Sequence, residues 1–206
     1  MFEYMILGIT FAFAAAVQPG PLQTYIISQT LTKGWKRTLP AALAPVISDG
    51  PIIVLVLFVL TNLPKDFLNV LQIGGGIFLL YLAYCTVKTW QRFDLKEEYN
   101  PQSKRQTLFK AAVVNLLNPN PYLGWSLVMG PLLLKGWHES PANGMALLIS
   151  FYTTIVIGLA VTIFLFTAAK GLGSKTNKLL LGISVIALAC FGLYELWSGI
   201  FSYLRH

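Results

Sequence analysis

Apolar residues run through this chain in long blocks, separated by short segments in which the charges collect. A water-soluble helix alternates apolar and polar positions with a period near 3.6, and a half-buried strand with a period of two; the blocks follow neither pattern. They predict membrane-spanning helices over residues 4–30, 39–61, 67–90, 107–134, 142–169 and 179–201. Each block reaches the roughly 20 residues that a helix needs to cross a hydrocarbon core of about 30 Å. Backbone groups in lipid must pair internally, and alternating segments of about 10 residues with turn signals are missing, which argues against a barrel. The expected fold is all-α and integral to the membrane, with six transmembrane helices.

Composition agrees with this reading. Of 206 residues, 55% are hydrophobic and 11% charged, and the mean hydropathy is +0.65. That leaves too little polar surface to clothe a soluble globule. Ala14, Ala15 and Ala16 imitate a signal-peptide cleavage site, but the stretch before them carries Glu3 and no Lys or Arg. The positive n-region is missing, so the first block is read as a mature helix.

The cations fix an expected orientation. Lys33, Lys36 and Arg37 follow the first helix, Lys88, Arg92, Lys96, Lys104, Arg105 and Lys110 surround the connection after the third, and Lys170, Lys175 and Lys178 follow the fifth. Lys65, Lys135 and Arg205 fall on the other side. Twelve against three places the basic loops in the cytoplasm and both termini outside a bacterial-type inner membrane. The net charge of +7 is thereby explained, and no nucleic-acid partner is implied, because the cations are scattered over short loops. The mixed-charge run 91–106, with Asn100 and Pro101, reads as a cytoplasmic linker between a first unit at 1–90 and a second at 107–206.

The two units echo one another. Helix one holds Gln18-Pro19-Gly20-Pro21 and helix four holds Asn118-Pro119-Asn120-Pro121, a hundred positions later. Each proline removes a backbone donor and clashes with the carbonyl four residues earlier, so a Pro-x-Pro pair should break the helix. Three helices per unit require the units to insert upside down relative to each other. Matched breaks in inverted repeats mark a transporter whose site lies between the repeats near the midplane, although tandem prolines also serve as plain kinks. Gly75–Trp90 can be laid on Gly182–Trp197; there Gly76 with Ala83, and Gly182 with Ala189, place small residues on one helix face for close packing.

The Pro19-Gly20-Pro21 element, the basic turn Lys33-Gly34-Trp35-Lys36-Arg37 and the run Asn115-Leu116-Leu117-Asn118-Pro119 together resemble the lysine exporter (LysE/RhtB) family of amino-acid efflux transporters. The likeness extends over nearly the whole chain in length, helix count and motif order. It implies export of amino acids or close derivatives, driven by the proton gradient or the membrane potential. Many members carry a small, glycine-rich second helix, whereas this chain has Ala44-Pro45-Val46-Ile47-Ser48-Asp49-Gly50-Pro51.

Asp49 stands near the middle of the second span, with no Lys or Arg in that span to neutralise it. A carboxylate at that depth costs about 2.5 kcal/mol or more, so it must be protonated, paired or wet. A group balanced among those states suits proton coupling or capture of a substrate ammonium; the plainer role is to accept hydrogen bonds from neighbouring helices. Pro45 and Pro51 flank it and predict a third interrupted helix. Asn115, Asn118, Tyr122 and Ser126 on helix four, and Gln18, Pro21, Tyr25 and Ser28 on helix one, fall at helical spacing and suggest a polar chamber. With Pro19, Gly20, Pro119 and Asn120 from the breaks they form the candidate substrate site, though such residues also serve as interhelical glue or, for Tyr25 and Tyr122, an interfacial belt. Glu195 lies close enough to the outer end of its span to snorkel and is read as structural, and Lys88 likewise snorkels to the cytoplasmic side.

Other chemistries find little support. Cys85 and Cys190 occupy corresponding places in helices three and six, which leaves a transmembrane thiol-disulfide electron carrier as an alternative, alongside a metal or organic-ion exporter of the same superfamily. Neither Cys lies beside a break, and small packing residues are the simpler reading. His138 and His206 both fall outside the spans, so no intramembrane His can serve a nucleophile or hold zinc. Nucleotide-binding, zinc-protease and hydrolase signatures are missing, so neither an enzyme nor a cofactor is expected. The expected partners are a small-molecule substrate and membrane lipid, and six short helices are compatible with a homodimer.

Overall fold

The computed structural model describes residues 1–18, 20–59, 65–91, 103–170 and 173–204. Among these, every regular element is helical. Pro19 and residues 92–102, the greater part of the expected linker, lie outside the described residues.

The first block is two helices. α1 (Phe2–Val17) stops short of the proline pair, α2 (Pro21–Lys33) starts on its second proline, and the two are bent by 60°. Pro21 occupies the first helical position, where a missing N–H costs nothing. The residue before a proline is pushed out of the α region, and Gly20 is fully extended at φ −162° and ψ 178°. Gly34, at φ +78°, ends α2 in a backbone conformation that other residues adopt only with strain.

The second block differs from its expectation. A short α3 (Trp35–Thr38) passes through a 3-10 stretch at Leu39–Leu43 into α4 (Ala44–Val59), and Pro51 lies inside α4 without ending it. The interruption expected at Pro45 and Pro51 is therefore not formed. Pro45 is the second residue of α4, in the first turn where a missing N–H costs nothing, so Pro51 alone removes a bond within the helix and the turns around it hold the axis; at 19/21 and 119/121 two prolines crowd one turn.

α5 (Lys65–Gln91) follows as a single helix. α6 (Lys104–Leu116) opens on a reciprocal cap between Ser103 and Gln106 and ends at the second break. Beyond it come α7 (Pro119–Gly124), a π-helical stretch at Trp125–Met129, and α8 (Gly130–Glu139). α9 (Pro141–Lys170) and α10 (Ser174–Leu204) complete the chain.

By length and composition three of these segments can cross a membrane, Trp35–Leu57, Pro141–Ala169 and Lys178–Phe201, and the bent α1–α2 pair makes a fourth if it is one span. α5 is long enough at 27 residues, but its average is lowered by polar and small residues such as Asn69, Gln72 and Gly74 to Gly76. One of these is spent on a neighbouring helix: Gln72 Nε2 donates to Ser198 Oγ of α10 at 3.2 Å.

Two helix pairs dominate the packing. α1 lies along α9 through a buried small-residue stripe, Gly8, Ala12 and Ala16, set against Leu147, Phe151 and Leu159. α5 lies along α10, with Gly76 facing Gly192. Lipid supplies no hydrophobic drive between such helices, so close backbone approach is what holds them. A Cβ on Gly76 would meet Gly192 O at 2.7 Å and Leu196 N at 2.8 Å, both backbone atoms that cannot swing aside. Gly74 has nothing within 4 Å of the same position. Thermal unfolding of the purified protein should therefore show Gly76→Ala destabilised by about 1–3 kcal/mol, and Gly74→Ala unchanged or stabilised by roughly 0.5–1 kcal/mol. Equal effects would contradict this packing.

Candidate substrate site

The two breaks meet at a cavity of about 150 Å³, large enough for several waters or one small solute. Gln18 and Gly20 come to it from the α1–α2 break, and Asn118, Asn120 and Pro121 from the α6–α7 break. Asn115 and Asp49 close its polar side, while Phe11, Phe151, Ile155 and Leu159 form an apolar wall. Gln18 and Asn120 are exposed and stand at the rim, whereas Asp49 and Asn115 are only 3% and 5% exposed. No residue of α5 or α10 lines this space, so that helix pair stands apart from it.

Every polar group at the centre is held by another. Asn115 Nδ2 donates to Asp49 Oδ1 at 2.8 Å and to Ser48 Oγ at 2.8 Å. Trp125 Nε1 donates to Asp49 Oδ2 at 3.4 Å, a long contact, and the Tyr152 hydroxyl is directed at the same carboxyl. Asp49 thus has neutral partners drawn from α6, α9 and the start of the π-helical stretch, and no cation among the described residues pairs with it. Such a carboxyl can be reached by a proton or a cationic substrate group without first breaking an ion pair.

The severed helices need their free backbone groups satisfied, and each uses a side chain from across its own break. Gln23 Nε2 donates to Ala15 O at 2.8 Å, and Tyr122 Oη donates to Leu116 O at 2.9 Å. Asn118 caps α7, its Oδ1 accepting the Asn120 N–H at 3.1 Å. α2 has no such cap on Gly20. Pro21 brings no N–H, and the N–H groups of Leu22 and Gln23 belong to the turn where a helix provides no acceptor. Gly20, Leu22 and Gln23 all border the cavity, so the positive end of α2 opens onto it.

The model of the family described as LysE type translocator matches residues 13–198, a stretch that includes both breaks, Asp49 and the cavity wall. The chain belongs to that family. It is a family of translocators and not of enzymes, and with the apolar helices it makes this a multi-pass membrane protein. The chain is also 33% identical over 136 residues to a protein of Bacillus subtilis (strain 168) named putative amino-acid transporter YisU. That match covers 64% of this chain and 61% of the relative, so it spans less than two thirds of the relative's length. No solved structure matches the chain.

In this translocator the residues singled out in the sequence divide into two groups. Gln18, Gly20, Asp49, Asn115, Asn118 and Asn120 come together at the cavity. Tyr25, Tyr122, Ser28 and Ser126 do not line it. Tyr25 is fully buried, with its hydroxyl 3.5 Å from Thr107 O, and Ser28 Oγ lies 3.4 Å from Thr86 Oγ1. Ser126 donates back to Tyr122 O at 2.6 Å. Pro21 and Pro119 are buried supports at the helix starts. The helical-face argument assumed unbroken helices, and each break rotates everything beyond it.

Three participants went unnoticed in the sequence: Gln23, Trp125 and Tyr152. A Trp and a Tyr deep within apolar spans, where their polar tips need a partner, were the available signal. Cys85 is half-buried and Cys190 exposed, and neither borders the cavity. Replacing Asn115 by Leu leaves Asp49 and Ser48 without their shared donor and should cost about 1–3 kcal/mol of stability. Trp125→Phe removes a longer bond and should cost less. Thermal unfolding of the two variants side by side measures the order, and the reverse order would contradict the contact geometry.

Proposed function

We propose that this translocator is a secondary exporter of small zwitterionic amino acids, moving them out of the cytoplasm in exchange for protons through Asp49. The observation that carries the reading is a cavity bordered by two polar groups of opposite character, whose lining includes both of them. One is a buried carboxyl with neutral partners, and the other is the uncapped N-terminus of α2. An ammonium group suits the first and a carboxylate the second, and the amides of Gln18, Asn118 and Asn120 add donors and acceptors without fixed charge. The remaining wall, with Phe11, Phe151, Ile155 and Leu159, suits an apolar side chain better than a second cation.

The wider arrangement we propose is six spans in two inverted three-helix units, with both termini outside and basic loops in the cytoplasm of a bacterial inner membrane. α1–α2 pairs with the α6–α8 run, α3–α4 with α9, and α5 with α10. Support comes from the break at the same place in each unit, each stitched by a side chain from its second half. The cavity is walled by the first two members of each unit, and the third members pack against each other away from it. A transporter needs such a division between a fixed pair and the parts that rock. The electron-carrier reading is disfavoured by two cysteines away from the cavity, and the metal-exporter reading by the lack, among the described residues, of any cluster of three His, Cys, Asp or Glu side chains.

The test is efflux of preloaded, radiolabelled L-amino acids from vesicles holding the purified chain, under several pH gradients. Protons that enter from an acidic exterior drive substrate outward, so efflux should accelerate as the outside pH falls below the inside. Asp49→Asn keeps the size and much of the hydrogen bonding but cannot titrate, and should lose that acceleration. Native dependence on the gradient in the Asn variant would remove Asp49 from coupling; no efflux of any amino acid would remove the substrate class.

A further inference from the structure

Glu195, in α10, is read from the sequence as an acid able to snorkel to the surface. Instead it is buried, 6% exposed, and its Oε2 has no hydrogen-bond partner among the described residues. It borders a second, much smaller void of about 10 Å³. Pro21 of α2, Gly75 and Phe78 of α5, and Leu117 and Asn118 of the α6–α7 break form its walls. Gly75 allows this closeness, since a Cβ there would meet Leu117 O at 2.6 Å. The residues of the two breaks therefore border two acids, Asp49 at the large cavity and Glu195 at the small void, with Asn118 lining both.

An isolated carboxylate in such surroundings is expensive and takes up a partner. None of the residues that α2, α5 and the α6–α7 break bring to the void carries a charge or titrates. Among the described residues of α10 the nearest cation in sequence, Lys178, is about 25 Å away at 1.5 Å rise per residue. α9 contributes nothing to this void, and its Tyr152 is directed at Asp49. A metal cation does not fit either. The void holds one water at most, while hard cations gather about six oxygen ligands or more. A proton is the one ligand that needs no added space.

We infer that Glu195 is a second proton-binding site of the transport cycle, sealed when the two proline breaks lie against it and opened when they separate. The step is one proton: with the breaks apart, water enters the void, the carboxyl O–H bond breaks and the proton passes to that water; before the breaks close, the carboxylate takes a proton back from water, the O–H bond forms again, and the neutral carboxyl is shielded. The inference rests on the exporter reading, since breaks that never separate would never release this proton.

The full chain in lipid vesicles tests it by infrared difference spectroscopy between acidic and alkaline buffer. A protonated-carboxyl carbonyl band is expected that disappears in Glu195→Gln, persists in Asp49→Asn and returns, shifted, in Glu195→Asp. In the radiolabelled amino-acid assay, Glu195→Gln should lose the acceleration by an acidic exterior, and Glu195→Asp should recover part of it. An infrared spectrum unchanged by Glu195→Gln overturns the inference, as does a native gradient response in that variant. Loss of transport in both Gln and Asp variants with no carboxyl band assignable to Glu195 marks it as a packing residue and also overturns it. If no amino acid moves at all, the exporter reading fails by itself, and the infrared band still decides whether Glu195 takes the proton.

Discussion

A backbone carbonyl or N–H exposed to hydrocarbon has nothing to pair with, and this constraint governs the two proline breaks on which the fold turns. A helix severed in a membrane must find donors and acceptors within the protein, so a break can survive only inside. Gln23 and Tyr122 supply those groups, each from just beyond the break that it closes. Once both breaks are forced inward they meet, and the space between them is the cavity. Its position follows from backbone satisfaction before any substrate is considered.

The rest of the molecule divides around that meeting point. α5 and α10 touch through glycine-backed surfaces, and among the described residues they contribute nothing to the large cavity. α4, α9 and the segments next to the breaks supply Asp49, its neutral partners and the apolar wall. Asn115 ties α6 to α4 by bonding Ser48 and Asp49 together, so a displacement of the break would change the surroundings of the acid directly. The void at Glu195 sets Pro21 and Asn118 of the same junction beside a second acid.

Much of this was legible in the residues. The apolar blocks carried the helical membrane fold, because lipid solvent leaves few alternatives, and the paired Pro-x-Pro elements located both breaks to within a residue or two. Asp49 stood out because a charge in an apolar span is costly wherever it points. Tyr25 and Tyr122 do not line the cavity, since a helical face can be projected from spacing only while the helix is continuous. The helix that holds Asp49 was expected to break at its prolines and does not, because Pro45 falls in the first turn of α4 and Pro51 alone interrupts its bonding.

By itself the sequence determined what lipid and covalent geometry dictate locally: helical blocks, the places where a helix must stop, and the acids that cannot rest in hydrocarbon unattended. Tertiary structure alone decided which side chains across the break met those demands. Gln23, Trp125 and Tyr152 became partners, Tyr122 became a support, and Glu195 was buried rather than left at the surface. The reason is physical: bonding and burial depend on the angle and rotation that each break imposes between segments far apart in the chain, and no local pattern encodes that angle.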